Sequence, residues 1–294
     1  MTFINYLISG ISLGSVYAII ALGYTMVYGI AKMLNFAHGD VIMVGAYAVF
    51  MLMSAAGLPS IVSVLLAMVI CTVLGVLIER IAYRPLRGAD SSLAVLITAI
   101  GVSYFLQNLA LLIFGSNTKS FTSVVNIPPL RLADGQVTIS GETIVTIAAC
   151  IIIVIGLTTF INKTKPGQAM LACSEDQGAA KLMGINVNGT IALTFAIGSA
   201  LAAIAGALLC SAYPSLTPYT GSMPGIKAFV AAVFGGIGSI PGAMIGGILL
   251  GVIENFSKAY ISAQMADAIV FAVLIIVLLV RPTGILGKPV QEKV

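Results

Sequence analysis

The chain has 294 residues, of which 59% are hydrophobic and only 8% charged, and its mean hydropathy is +1.10. Soluble globular domains carry about 25% charged residues, so this composition excludes that class and predicts a multi-span membrane protein. The net charge of +4 is modest and argues against nucleic acid as a partner.

Apolar runs recur along the chain, most of them close to the roughly 20 residues that a helix needs to cross a bilayer. No ten-residue alternation of polar and apolar residues recurs, so membrane strands are excluded. We predict an all-α, polytopic inner-membrane helical bundle of about 8–10 spanning or re-entrant segments, forming one transmembrane domain over residues 1–294. The run 226–237 is short and is followed by glycine and proline, which predicts a broken or re-entrant segment. The runs lie near 5–30, 39–56, 60–79, 92–114, 142–161, 190–212, 226–237, 240–257 and 266–281.

Lysine and arginine predict the orientation of the bundle. Three segments, 79–91, 163–189 and 281–294, carry three basic residues each, whereas segment 115–141 carries two. Cytoplasmic loops are enriched in lysine and arginine, so we expect the first three segments in the cytoplasm and 115–141 on the outside. The number of crossings within 226–281 and the side of the N-terminus stay open.

Two polar interruptions are candidates for a translocation path. Residues 35–40 (NFAHGD) form either a plain interfacial turn, which spacing alone favours, or an unwound element of the kind that transporters build beside their pathways. A pair of amides inside 92–114 serves either interhelical hydrogen bonding or the path itself. The chain has a single histidine, so a metal site built on histidines is not available. The residues that we place near a substrate route are Asn35, Phe36, His38, Gln107 and Asn108.

The most polar stretch of the chain is 163–189. Ser174 and Gln177 have the spacing of a capping box, and Gly184 supplies a helix stop. We therefore expect a short helix over 174–186 with a small apolar face. Such a helix gains nothing in water unless another protein docks on it.

Glycines at four-residue spacing allow close helix packing, either within this chain or at a subunit interface. They are Gly238, Gly242, Gly246, Gly247 and Gly251.

Glu254 and Lys258 have the spacing of a local ion pair near a helix end. The span centres otherwise lack ionisable residues, which disfavours a proton- or ion-coupled carrier. The chain has no Walker sequence and no glycine-rich phosphate loop with lysine. We therefore expect no enzymatic activity, and energy for active transport would have to come from another chain.

The polar stretch resembles the cytoplasmic loop through which permease subunits of ATP-binding-cassette importers dock on their ATPase. That loop carries a Glu-Ala-Ala…Gly pattern, and here Ala179, Ala180 and Gly184 keep its spacing while Gly178 replaces the glutamate. The branched-chain amino acid branch of these importers shares that departure. The ATPase-coupling residues that the resemblance implies are Glu175, Asp176, Ala179, Ala180, Leu182, Gly184, Ile185 and Asn186.

Further blocks agree over nearly the full length and in the same order. In this order they are specific, and the chain resembles the H-type permease subunits of bacterial high-affinity importers of leucine, isoleucine and valine. The blocks are 24–29 (YTMVYG), 35–39 (NFAHG), 79–85 (ERIAYRP), 227–229 (KAF), 235–247 (GGIGSIPGAMIGG) and 282–287 (PTGILG).

The resemblance implies an inner-membrane subunit that moves branched-chain amino acids from periplasm to cytoplasm. Its implied partners are a related second permease, two cytoplasmic ATPases that bind the ATP, and a periplasmic binding protein; no cofactor belongs to this chain. Because the spans hold little charge, we expect the binding protein to choose the substrate. The alternatives are an importer of urea, short amides or other neutral amino acids and, in a different class, a secondary carrier or a channel, neither of which needs an ATPase or a binding protein.

Overall fold

The computed structural model describes residues 2–87, 92–132 and 137–287. The end of the basic segment 79–91, four residues of 115–141, and the tail residues Lys288 and Lys293 lie outside the described residues.

The described residues form a helical bundle with two short β-ribbons. The helices are α1 (Thr2–Ala31), α2 (His38–Ser54), α3 (Ser60–Ile78), α4 (Ser92–Phe114), α5 (Gly141–Lys163), α6 (Lys165–Glu175), α7 (Gln177–Leu182), α8 (Val187–Ala212), α9 (Ser222–Gly235), α10 (Ile240–Tyr260) and α11 (Ala266–Val280). A π-helical turn (Glu79–Tyr83) and a 3-10 turn (Arg84–Leu86) extend α3. Antiparallel pairs join β1 (Lys119–Ser120) to β4 (Ser215–Leu216) and β2 (Leu130–Leu132) to β3 (Val137–Ile139).

Nine of these helices are apolar, which confirms the predicted all-α polytopic bundle. Six are long enough to cross a membrane, and α2, α9 and α11 are shorter. In the most apolar stretch of α1 and of α8, 67% of the residues are buried inside the bundle, against 22% for α4 and for α5. The centre of the bundle is therefore α1 and α8, and α4 and α5 lie on its outside.

The predicted glycine stripe packs within this chain. Gly242 and Gly246 lie against Gly235 of α9, and Gly247 and Gly251 lie against α1. A Cβ atom built on Gly247 would be 2.5 Å from the Cα atom of Ala18, so the two helix backbones are in direct contact. Gly238 stands apart: it precedes α10 and has a φ of +93°.

The basic segments gather at one end of the bundle, which we call the basic end. There Arg87 donates a hydrogen bond of 2.6 Å to Asn188 at the start of α8, and Gln177 donates one of 3.1 Å to the carbonyl of Ile30 near the end of α1. Segment 283–287 joins the same end, since Ile285 N donates to the Phe234 carbonyl.

Segment 115–141 lies at the opposite end, which we call the loop end. The amide of Phe121 donates to the Pro214 carbonyl beyond the end of α8. The start of α1 lies at this end too. α1 runs from Phe3, whose ring packs on Phe256 with centroids 5.1 Å apart, to Ile30 at the basic end. The N-terminus therefore lies at the same end of the bundle as segment 115–141.

The prediction of one helix over 174–186 is wrong. The stretch forms two helices, α6 and α7, and the break lies at Asp176, whose side chain accepts from Ala179 N and caps α7. Ser174 is inside α6 and donates to the Leu171 carbonyl instead. Asp176, rather than Ser174, is the N-cap because its backbone has the extended conformation that an N-cap needs. The stop at Gly184 is confirmed, with φ +82°.

Candidate translocation and coupling sites

The segment between α1 and α2 carries the chain back into the bundle. α1 ends at Ala31, yet His38, the first residue of α2, packs its ring on Tyr24 (centroids 4.7 Å apart) and against Gly23. At 1.5 Å per residue, Gly23 lies about 12 Å before the end of α1. Asn35, His38 and Asp40 are 4%, 1% and 2% exposed. These positions contradict an interfacial turn and support the alternative of an unwound element inside the bundle.

α9 also begins inside the bundle, directly opposite the start of α2. A Cβ atom on Gly39 would lie 2.8 Å from the Gly221 carbonyl oxygen, so only glycine fits this approach. From this contact α2 runs toward the loop end, where Tyr47 stacks on Phe114 at 4.0 Å. α9 runs toward the basic end and finishes at Gly235. We call this meeting of two helix starts the half-helix junction.

Polar side chains surround the half-helix junction. The Gln107 side-chain amide donates to Asp40 Oδ1 at 2.9 Å and lies 3.3 Å from the hydroxyl oxygen of Ser222. Neither helix start has a side-chain cap, and both helix dipoles direct partial positive charge toward this region. His38 Nε2 is buried and makes no hydrogen bond with the described residues.

The remaining predicted pathway residues separate into two groups. Asn35 accepts a hydrogen bond of 2.9 Å from the Tyr83 hydroxyl, and Phe36 packs on Phe229 with centroids 5.6 Å apart. Asn108 is not with them: it is exposed on the outside of α4 and its amide donates to the Tyr104 carbonyl of the same helix.

The bundle is closed on the basic side of the junction. A cleft there is lined by aromatic and apolar side chains together with Asn35, and it has no room for a water molecule. Its walls include Tyr24, Tyr28 and Phe229.

An open pocket of about 330 Å³ lies on the other side of the junction and reaches the first turn of α9. It combines apolar, hydroxyl and charged groups. Its apolar lining is Leu13, Leu209, Met223 and Pro224; its hydroxyl lining is Tyr17, Tyr213, Ser215, Thr217 and Thr220; its charged lining is Lys227, Glu254 and Lys258.

Four charged side chains and the Tyr17 hydroxyl form a cluster at this pocket, which we call the ionic cluster. Lys227 Nζ lies 2.8 Å from Glu254 Oε1 and 2.6 Å from Asp267 Oδ1. The predicted pair of Glu254 and Lys258 is confirmed at 2.6 Å, and the Tyr17 hydroxyl donates to Glu254 Oε2 at 2.8 Å. The side chains of Lys227 and Glu254 are only 8% and 1% exposed. The cluster lies near the ends of α9, α10 and α11, and Lys227 and Asp267 are members that local spacing does not predict.

The polar stretch at the basic end presents both polar and apolar groups. Ala180 is buried within this chain and Ile185 is half-buried, whereas Leu182 and Met183 are 89% and 82% exposed. A neighbouring link joins α3 to α8: Arg87 pairs with buried Glu79 and bonds Asn188. Burial lowers the pKa of Arg87, and Glu79 opposes that shift. The other predicted coupling residues are exposed: Glu175, Asp176, Ala179, Gly184 and Asn186.

Among the described residues, no group of three or more His, Cys, Asp or Glu side chains could hold a metal ion.

Comparison with known proteins places this architecture in a family. The family model for the branched-chain amino acid transport system / permease component matches residues 6–278. The chain belongs to this family. It is therefore a multi-pass inner-membrane permease component, and six apolar helices long enough to cross a membrane agree with a multi-pass protein.

Relatives of this permease cover nearly its whole length. It is 48% identical to the high-affinity branched-chain amino acid transport system permease protein LivH of Escherichia coli (strain K12), over 99% of this chain and 98% of that one. It is 47% identical to the corresponding protein BraD of Pseudomonas aeruginosa, with the same coverage. A probable branched-chain amino acid transport permease protein of Methanocaldococcus jannaschii is 28% identical over 92% and 88% of the two chains.

Sequence reasoning missed two features of this permease. Lys227 falls in a short apolar run, and its partners Glu254 and Asp267 are distant in the chain, so no local spacing reveals the ionic cluster. The facing glycines of the half-helix junction, Gly39 and Gly221, carry no periodic signal either. The available hint was the shortness of the run 226–237.

Proposed function

We propose that this chain is the subunit that forms the membrane path for leucine, isoleucine and valine in an importer running from periplasm to cytoplasm. The observation that carries the proposal is the half-helix junction, with an open pocket on its loop side and a closed cleft on its basic side. Broken helices whose ends meet inside a bundle are a recurrent way to build a substrate path. The substrate class is supported by the names of the full-length relatives.

In this proposal the basic end faces the cytoplasm and the loop end faces the periplasm, because the basic segments gather at one end. A related second permease completes the membrane path. Two cytoplasmic ATPases dock on the polar stretch and bind the ATP, so this chain needs neither an ATPase site nor a cofactor. A periplasmic binding protein delivers the amino acid at the loop end.

The test is uptake by the assembled importer in liposomes, with labelled leucine and binding protein on one side. We expect uptake that requires ATP, the ATPases and the binding protein together. Uptake without them would establish a carrier or a channel instead. Uptake of urea or short amides in preference to leucine would establish the alternative substrate class.

We propose that the pathway passes the half-helix junction and uses Asn35, Phe36, His38 and Gln107. The burial of Asn35 and His38 and the contact of Gln107 with Asp40 support this assignment. Asn108 belongs to the same prediction, although its side chain lies on the outer surface of α4. A role there would require the second permease to cover that surface.

Cysteine substitutions test this path. With cysteine at Asn35, His38 or Gln107, we expect reaction with a small water-soluble thiol reagent whose rate changes at least about threefold when loaded binding protein and ATP are added. The native cysteines compete little: all four are buried, and burial raises the pKa of the Cys173 thiol. Leu112→Cys, 84% exposed on α4, is the control for reagent entering from lipid. Sites that stay inert under every condition would remove these residues from the path.

We propose that α7 and the turn after it seat in the ATPase. Gln177 connects α7 to the end of α1, which leads directly into the unwound segment before α2. Motion of the ATPase would therefore reach the half-helix junction through α1. The outward-facing contact is Leu182 and Met183, and not Ala180, whose side chain packs inside this chain.

Leu182→Glu is expected to weaken ATPase binding by at least about tenfold. Burying a leucine contributes about 2 kcal/mol, which a carboxylate at the same place forfeits. The amount of permease in the membrane should stay unchanged, because Leu182 is 89% exposed. The measurement is co-purification of the ATPase with the permease, and Leu182→Met, which keeps the apolar contact, is the matched control. Equal ATPase recovery with both variants would contradict the docking assignment.

A further inference from the structure

The ionic cluster faces the open pocket and is electrically balanced. Lys227 and Lys258 oppose Glu254 and Asp267, and the three contacts between them are 2.6–2.8 Å long. Such a cluster is costly in a membrane-spanning bundle, because each charge must give up water and stay paired. The predicted path residues include none of its members, so the proposed function so far leaves the cluster without a role.

The groups around the cluster match one class of ligand. The pocket of about 330 Å³ falls at the lower end of the size that small-molecule sites have. Leu13, Leu209, Met223 and Pro224 give it an apolar lining that suits a branched aliphatic side chain. Hydroxyl groups and the two lysines with Glu254 supply hydrogen-bond donors and acceptors to the same space.

The pair of Lys258 and Glu254 is the part of the cluster that can open. Lys258 is 38% exposed, against 8% for Lys227, and it has one partner where Lys227 has two. If a zwitterion enters between them, its carboxylate pairs with Lys258 and its ammonium pairs with Glu254. Lys227 stays bonded to Asp267 throughout. Every charge is then paired before and after binding, so no buried charge is stripped of its partner.

A ligand with only one charge cannot do this. A carboxylate alone would leave three anions facing two cations, and an amine alone would leave three cations facing two anions. Leaving a buried charge unpaired is strongly unfavourable. The cluster therefore discriminates by charge pattern, and the apolar lining discriminates by side chain.

We propose that this pocket is a transient binding site for a free aliphatic α-amino acid, recognised as a zwitterion by Lys258 and Glu254. The inference rests on the proposed function, since it names the station at which the delivered amino acid first meets the permease. If the site exists, the permease adds a second selection step to the one expected of the binding protein.

The experiment uses the complete importer in nanodiscs, without binding protein, and saturation-transfer NMR of added ligands. The probes are leucine, 4-methylpentanoate, which lacks the ammonium, and 3-methylbutylamine, which lacks the carboxylate. We expect saturable leucine binding, and binding at least about tenfold weaker for either single-charge analogue.

Lys258→Met supplies a readout that a purely structural role would not move. Glu254 keeps Lys227 in this variant but loses the cation that a ligand carboxylate needs. We expect leucine binding to fall by at least about tenfold and amine binding to rise above its level in the unmodified complex. Arg131→Met, which removes an exposed cation from the same end of the bundle, is the control and should leave all three ligands unchanged. Equal binding of all three probes, absent leucine binding, or no reciprocal change in Lys258→Met would overturn the inference.

Uptake by the same complex with binding protein separates this inference from the proposed function. Leucine uptake without leucine binding at the pocket overturns the site and leaves the proposed function standing. Selective zwitterion binding without uptake of any branched-chain amino acid supports the site and overturns the proposed function.

Discussion

Glu254→Leu is expected to destabilise the folded permease by about 3–5 kcal/mol, the usual cost of removing one member of a buried ion pair. The substitution leaves Lys227 in the bundle with Asp267 alone and leaves the Tyr17 hydroxyl without its acceptor. The double variant Glu254→Leu with Lys227→Met should recover most of the loss, because it removes both buried charges. The measurement is thermal unfolding of the purified protein in one detergent, followed by loss of the monodisperse species.

Asp267→Asn is the control for this cycle. Its side chain is 43% exposed and Lys227 keeps Glu254 in this variant, so the melting temperature should fall much less than in Glu254→Leu. A double variant that is no more stable than Glu254→Leu alone would show that the cluster stabilises the bundle through packing rather than through charge pairing. In a stable double variant, the absence of leucine uptake would separate the cluster's part in transport from its part in folding.

Gly247→Val is expected to abolish accumulation of folded permease. The new Cβ atom would lie 2.5 Å from both N and Cα of Ala18, which are backbone atoms and cannot rotate away. α1 and α10 would have to separate along their whole contact, whereas ordinary overpacking costs only about 1–3 kcal/mol. We expect the variant to be inserted but degraded or aggregated, as measured by fluorescence-detected size exclusion from membranes.

Gly101→Val is the matched control for this substitution. Gly101 is also an interior helical glycine of a long apolar span, but no atom lies within 4 Å of its built Cβ atom. Both changes add the same side chain to the same kind of helix, so intrinsic helix propensity cancels. Equal yields of the two variants would show that close approach of α1 and α10 is not required.

Most of the bundle could be predicted because its signals are local. The nine apolar runs became nine apolar helices, and Gly184 has the positive φ that a helix stop after α7 needs. The glycine spacing in α10 also anticipated close contact, although the structure was needed to show that α1 and α9 of the same chain receive it. Length and periodicity suffice for these features since each depends on neighbouring residues.

The depth of an element could not be predicted, because a hydropathy profile has no coordinate across the membrane. Residues 35–40 look like an interfacial turn in such a profile, and only the packing of His38 on Tyr24 shows that α2 starts inside the bundle. The prediction of the N-cap of α7 was wrong for a related reason. Ser174 and Asp176 are both good capping residues, and the backbone angles that decide between them depend on how α6 packs.

The half-helix junction also has a consequence for how the chain is assembled during synthesis. α2 and α9 span about 25 Å and 21 Å, less than the roughly 30 Å of hydrocarbon, and neither start has a side-chain cap. In lipid alone, one end of each helix would lie within the hydrocarbon layer, where the irregular backbone beside it has no water to bond. α2 emerges from the ribosome long before α9, so it must wait for the helix start that it finally packs against. The interval between the two is when the growing chain depends most on the insertion machinery.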